Sequence, residues 1–380
     1  MAACLDLGRC EHEFFDGAIE DMSTDITDYK RIKIEGMERD LDGVIEGIIV
    51  LEDIIERNRF DYREAWRKFL PEKDFAPYEQ GVGLMSYTPI VSMRKCLPAY
   101  QEFSGKVRDV PYYLLVLNQA RESRPKSESK PAEIKETFHC KLCENVLSRE
   151  MIISEIGDYF LAPNGYPYHM FASLLIHKGE NKKQGDLGVG DIETFMKTSV
   201  LLNQYVFYNS IGAGASIAEH QHAQVVDPAE IRTDNEIVPY PILNNSFVGR
   251  EPVNGKRDVF RLRNYAFDSL IFTGRDAPYK ANYAVHLIKS DNNAFNILIN
   301  KNEVFVIGRN PSREKSVCIM RKVGGYELSG VALLGDIEEK SGEMNLNVKG
   351  AKIFSNMTYE ILSANLRSAT VNLDGVACHF

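Results

Sequence analysis

The chain has 380 residues, with 45 Lys plus Arg against 54 Asp plus Glu, a formal net charge of −9. Hydrophobic residues at 44% and charged residues at 26% describe an ordinary globular protein, long enough for two domains at roughly 100–200 residues each. The acidic balance excludes a general nucleic-acid binder, which would need a basic face, yet permits a local cationic pocket for a phosphorylated small molecule.

The opening run MAACLDLGRCEHEFFD is acidic and lacks the basic-then-apolar order of a secretory signal. Seven cysteines are an odd count for a disulfide framework and read as reduced thiols in a cytoplasmic protein. No stretch reaches the ~18 uncharged apolar residues of a membrane span. The nearest, Val44 to Ile55, is broken by Glu46, Glu52 and Asp53, so no membrane partner is expected. Apolar residues at helical spacing (Leu41, Val44, Ile45, Ile48, Ile49, Leu51, Ile54, Ile55) predict helix within 41–70, ahead of Trp66, Phe69 and Pro71. Residues 1–110 form an N-terminal helical or mixed region with no assigned role.

PYYLLVLNQ (111–119) predicts a buried strand, and the polar segment from Arg121 to Thr137 a linker. DYFLAPN (158–164) predicts a strand ending at Asn164, and MFASLLIHK (170–178) a second. A turn-rich connection carrying Lys182 and Lys183 leads to Asp191, a candidate N-cap. The apolar spacing from Ile192 to Phe207 predicts one helix ending near Asn209. Glycines 212 and 214 follow, then the alternating strand IAEHQHAQVV. Residues 225–260 are mixed. Strands are predicted at 283–288, 294–300 and 304–309, followed by GYELSGVALLG at 325–335.

HQHAQ (220–224) carries the chemistry. Side chains alternate along a strand, so His220, His222 and Gln224 would line one face. Two histidines in a sheet can also be a satisfied core pair or a metal pair. A neutral imidazole is a competent nucleophile toward phosphorus, provided its other nitrogen is held by an acceptor. A carboxamide such as Gln224 can donate to a phosphoryl oxygen without offering a labile proton. The preceding glycines let a backbone approach a ligand and present N–H groups to an anion.

The run NSIGAGASIAEHQHAQ (209–224) resembles the histidine-triad superfamily. It is most similar to the branch of galactose-1-phosphate uridylyltransferase and the nucleotide-sugar and dinucleoside-polyphosphate phosphorylases, which carry HxHxQ. The resemblance implies a nucleotidyltransferase or phosphorylase acting on a nucleotide sugar or related nucleotide. His222 would attack the α-phosphorus to give a nucleotidyl-histidine, from which a phosphate or sugar phosphate takes the nucleotidyl group. Gln224 would hold phosphoryl oxygens, and Asn209, Gly214 and Ser216 would cradle the nucleotide phosphates. Asn164 would contact the nucleoside, Lys178 would supply a basic group after the second strand, and Arg121 is a further phosphate contact. Two departures argue against a plain galactose-1-phosphate uridylyltransferase. Three residues, Ile217, Ala218 and Glu219, separate Ser216 from His220 where that pattern has two, and Gln221 replaces the usual Pro.

The similarity runs through 139–226 and more loosely through 283–335. It implies an α+β fold of two histidine-triad-like units, antiparallel sheets with helices on one side. The catalytic unit would be 111–230 and the second unit 231–380. With both units in one chain an obligate dimer is not required, so monomer and homodimer are both open. Cys140 and Cys143 resemble the CxxC that binds structural Zn2+ in some of these transferases, with His220 as a further ligand and His177 or Glu180 as the fourth. Two buried thiols are the other reading. No organic cofactor is expected. The rival functions are a hydrolase of nucleotide phosphoanhydrides, which Gln224 in place of His opposes, and a nucleotide-binding module without catalysis.

Overall fold

The computed structural model describes residues 93–97, 100–103, 106–109 and 113–117; Cys140, Leu142 and Cys143; and 152–164, 172–179, 182–226, 232–233, 236–237, 240–243, 248–316, 321–334 and 357–380. The predicted helix over 41–70, Arg121, His169 and Glu180 lie outside them.

The centre is one antiparallel sheet of ten strands. Its strands are β1 (Ser154–Ile156), β2 (Tyr159–Pro163), β3 (Ser173–His177), β4 (Tyr205–Asn209), β5 (His222–Val226), β6 (Gly249–Pro252), β7 (Val259–Arg263), β8 (Leu270–Thr273), β9 (Ala294–Asn300) and β10 (Glu303–Arg309). They lie in the order β6-β7-β8-β10-β9-β4-β5-β3-β2-β1, every neighbouring pair antiparallel. Outward from the central β9–β4 pair, the strands run 4-5-3-2-1 on one side and 9-10-8-7-6 on the other. Helix α1 (Val189–Leu202) links β3 to β4, and α2 (Ala277–Ser290) links β8 to β9. The succession of three strands, a helix and two strands therefore occurs twice.

Helices α1 and α2 touch each other and the central strands, so both cover one face of the sheet. Helix α1 starts at Gly188, not at the anticipated Asp191. Asp191 is the third helical residue and accepts the Gly188 N–H at 2.7 Å, a carboxylate placed where the helix dipole favours it. The helix ends at Asn203, in the left-handed conformation (φ 50°), earlier than the apolar spacing suggested. The run YVFYN then becomes β4, because a short apolar run fits strand and helix periods equally and the cap decides between them. The predicted strand 283–288 is instead the middle of α2. Ala277, Ala281, Ala284, Val285 and Ile288 are buried at helical spacing, and a six-residue window hid that stripe.

The opposite face of the sheet is also covered. Phe207, Leu298, Phe305 and Ile307 alternate toward it and share a core with Tyr113, Val331, Ala332, Leu362 and Leu366. Tyr113 and Val331–Ala332 belong to a separate three-stranded sheet of Met93–Leu97, Tyr113–Leu117 and Val331–Leu334. Leu362 and Leu366 lie on the helix Tyr359–Ala369. Helices thus pack on both faces, not on one side as anticipated. The central strands are buried on both faces and read as near-continuous apolar runs, interrupted in β9 by the buried Asn296. Each buried Phe there contributes roughly 1.5–3 kcal/mol of transfer free energy.

Candidate active site

His222 is the first residue of β5, and His220 precedes the strand. The alternation that was to put both rings on one strand face therefore starts only at His222. Gln224 and Val226 follow on the same face, the one turned away from α1 and α2, because Val226 belongs to the opposite core. The His222 ring is nearly buried, at 6% exposure. Its Nδ1 lies 2.9 Å from the carbonyl of His220. A carbonyl only accepts, so Nδ1 carries a proton, and in the neutral ring the lone pair is then on Nε2.

A side chain not foreseen in the sequence holds this residue's backbone. Buried Gln184 accepts the His222 N–H at Oε1 (2.8 Å), and its Nε2 donates to the His222 carbonyl (2.9 Å) and to the Asn209 carbonyl (2.7 Å).

The chain between β4 and β5 bends through Gly212 and Gly214, both with positive φ. A Cβ on Gly214 would lie 2.7 Å from Gly324 Cα and 2.7 Å from Val323 O. The Gly214 N–H donates to Glu314 Oε1 at 3.0 Å. Lys322 Nζ lies 3.2 Å from that carboxylate and donates to the Ala215 carbonyl at 3.1 Å. The bend is thus seated on the second half of the chain. Ser216 is exposed beside it.

Asn209, at the end of β4, is tied into a buried polar network. Its Oδ1 accepts from Asn296 Nδ2 (2.6 Å) and the Gly325 N–H (2.7 Å). Arg309 Nη1 donates to Asn296 Oδ1 (2.6 Å) and Val323 O (2.8 Å), and its Nε donates to Ala369 O (2.9 Å). Burial brings the Arg309 guanidinium down to about 10, against the opposing pull of Glu327 and Glu314. Its Nη2 is buried without a hydrogen-bond partner.

Cys140, Cys143 and His220 form a corner of their own. The two sulfurs are 3.2 Å apart, and His220 Nδ1 lies 3.2 Å and 3.3 Å from them. His220 Nε2 donates to the His177 carbonyl at 2.6 Å, which leaves the Nδ1 lone pair facing the thiols. The Cys143 N–H points at Cys140 Sγ, 3.3 Å away. Burial, the largest single influence, disfavours the Cys140 thiolate, but His220 when protonated and the N–H and thiol of Cys143 together bring that thiol below its ordinary value. Two sulfurs and one imidazole lone pair with its other nitrogen anchored on a carbonyl fit three corners of a tetrahedral zinc site. Among the described residues the metal-competent group is these three alone. His177, named beforehand as fourth ligand, is not in it. Its Nδ1 accepts the Gly179 N–H at 2.8 Å and its ring stands edge-on to Tyr159. Burial, then the charge of Lys182, lowers the imidazole's affinity for a proton.

Gln221, between the two histidines, points to the helix-covered face. Its Nε2 donates to Tyr159 OH at 2.5 Å, and Tyr159 OH donates to Asp191 Oδ1 at 2.8 Å. Lys182 Nζ grips both Asp191 oxygens at 2.6 and 2.8 Å. Desolvation, then the Asp191 charge, raises the Tyr159 phenol well above its usual range.

Of the other anticipated contacts, Asn164 directly follows β2, and its N–H donates to the Ala172 carbonyl at 2.9 Å. Lys178 pairs with Glu155 at 2.7 Å and lies over the Phe160 ring. His286 is exposed on α2. Gln184, Asn296, Arg309, Glu314 and Lys322 were not foreseen, since nothing local in the sequence sets a lone amide or charge apart.

No family model and no curated protein matches this chain. Solved structures similar to it include yeast Ap4A phosphorylase Apa2 in complex with Ap4A, at 14% identity, covering 84% of this chain and 97% of that chain, with TM-score 0.49. The same yeast protein in complex with AMP gives 14% identity, 84% and 96% coverage and TM-score 0.47. A third structure of it gives 14% identity, 84% and 94% coverage and TM-score 0.48.

Proposed function

We propose that this chain is a nucleotidyltransferase or phosphorylase acting on a nucleotide sugar or related nucleotide by double displacement through His222. The observation that carries the reading is the His222 ring itself. Its Nδ1–H is donated to the His220 carbonyl, so the neutral ring presents its lone pair at Nε2 and no proton has to leave before attack. In the first step the Nε2 lone pair attacks the α-phosphorus. The bond from that phosphorus to the bridging oxygen breaks, the sugar phosphate departs with the bond's electrons, and a P–N bond forms. In the second step an oxygen of inorganic phosphate or of another sugar phosphate attacks the same phosphorus, and the P–N electrons return to Nε2. Gln224 steadies phosphoryl oxygens without supplying a proton to activate water.

The repeated succession of elements supports two histidine-triad-like units, 111–230 and 231–380. The second contributes the seat of the glycine bend through Glu314, Lys322 and Val323–Gly324. Asn209, Gly214, Ser216 and Asn164 remain the proposed nucleotide contacts, with Lys178 at the margin. Cys140, Cys143 and His220 would hold a structural Zn2+, which fixes the chain just ahead of β5. Such an ion supplies folding free energy and no step of the transfer.

Product analysis separates transferase from hydrolase. Nucleoside diphosphate sugars incubated with the protein should yield nucleoside diphosphate only when phosphate is added. Nucleoside monophosphate released equally fast without an acceptor would overturn the transferase reading.

A further inference from the structure

The ladder between β4 and β5 stops early. Its pairs are Tyr205↔Val226, Val206↔Val225 and Phe207↔Gln224. The same register would next set Tyr208 opposite Ala223 and then Asn209 opposite His222. There the strands part, and the carboxamide of Gln184 stands between them. It bonds the His222 N–H and carbonyl on one side and the Asn209 carbonyl on the other, all at 2.7–2.9 Å. A side-chain amide has the donor and acceptor of a peptide group, so Gln184 stands in for the missing rung.

The turn that carries Gln184 is itself pinned. The Lys182 carbonyl accepts the Gln221 N–H at 2.7 Å, and the Gln184 N–H donates to the Ala218 carbonyl at 3.1 Å. The Gly185 N–H donates to Tyr208 OH at 2.6 Å. Lys289 on α2 donates to the Gly185 carbonyl at 3.1 Å. Four ties, two to the connection between β4 and β5, one to β4 and one to α2, hold one carboxamide against one histidine's peptide unit.

We infer that Gln184 is a positioning residue for the nucleophile: its carboxamide fixes the His222 backbone, and with it the ring's Nδ1 contact to the His220 carbonyl, on the side where pairing to β4 has ended, while β3 still pairs Ile176 with His222 on the other. The inference rests on the proposed role of His222 and names a residue that role does not require. Gln184 acts through the peptide of His222 and touches no reacting atom. Errors of about 1 Å in a nucleophile's placement cost on the order of 100-fold in rate, so the effect falls on the chemical step more than on binding.

The test uses the full chain with Gln184→Leu and Gln184→Glu. With an α-labelled nucleoside diphosphate sugar, the single-turnover rate of labelling at His222 should fall at least tenfold in Gln184→Leu, while KM stays within threefold. A carboxylate accepts but cannot donate, whereas a protonated carboxyl does both. Gln184→Glu should therefore be slow at neutral pH and regain rate as the pH is lowered, relative to wild type at each pH. A role in stability alone would lower the melting temperature and leave that pH profile parallel to wild type. The His222 ring nitrogen NMR shifts give a readout free of any substrate. Wild type should hold the proton on Nδ1, and Gln184→Leu should show a mixture of tautomers. Wild-type labelling rate and an unchanged tautomer in either variant would overturn the inference. If no nucleotide labels the wild type, the proposed function fails and the ring shifts still decide the role of Gln184.

Discussion

Gly214→Ala tests whether the bend is shaped by packing within the chain. At φ +97° a side chain meets backbone strain of roughly 1–2 kcal/mol. The added Cβ would also lie 2.7 Å from Gly324 Cα and from Val323 O, both backbone atoms that no rotamer change can move. Overpacking of that kind costs about 1–3 kcal/mol. Together the loss is roughly 2–5 kcal/mol, or on the order of 4–10 °C in melting temperature at about 2 °C per kcal/mol for a unit of this size. Gly274→Ala is the control: its φ is +80°, yet nothing lies within 4 Å of the added Cβ, so only the backbone strain applies. Urea unfolding and thermal melts of both variants should place Gly214→Ala below Gly274→Ala by the packing contribution. Equal stability of the two would refute the seat of the bend on Val323–Gly324.

Asp191→Asn should destabilise the chain by roughly 1.5–3 kcal/mol at pH 7, since Lys182, Tyr159 and the Gly188 N–H all donate to the carboxylate. Burial, the largest influence, pushes this carboxyl up, but those donors outweigh it and hold it below its ordinary 3.8. A depressed value means the stabilisation is present above 3.8 and is lost as pH falls through the lower folded value. Urea midpoints of wild type and variant should therefore converge as the pH drops below 3.8, and a constant gap would contradict this. Arg309→Met removes the donors to Asn296, Val323 and Ala369 and leaves those buried acceptors unsatisfied, so a loss of about 3–5 kcal/mol is expected by urea titration. A loss under about 1 kcal/mol would mean the network is dispensable. Purified protein should carry one zinc per chain by elemental analysis, and Cys143→Ser should carry none; equal metal content would remove Cys143 from the site.

The sequence displayed the elements whose signals are local. The strands at 159–163, 294–300 and 303–309 were legible because β-rich apolar runs were bounded by turns. So was the grouping of Cys140 and Cys143 with His220, although only a resemblance joined residues 80 apart. What stayed hidden depends on tertiary contact. Asn203 decides where α1 stops by adopting a left-handed backbone, which spacing alone does not reveal. Gln184 lies in a polar run that reads as solvated turn, and only the parting of β4 and β5 gives its amide partners. The close approach of Gly214 to the Val323–Gly324 backbone was hidden too, because the letter glycine does not say which backbone comes close. Arg309 is the last residue of a strand whose pattern says nothing of a buried charge.

No helix among the described residues is long and apolar enough to cross a membrane. The central claim concerns one ring nitrogen, and covalent trapping reads it most directly. Protein mixed with an α-labelled nucleoside diphosphate sugar without phosphate, then digested and sequenced by mass spectrometry, should carry acid-labile nucleotide on His222. The label should vanish on adding phosphate and be absent from His222→Ala. Label on another residue, or undiminished label in His222→Ala, would contradict the account.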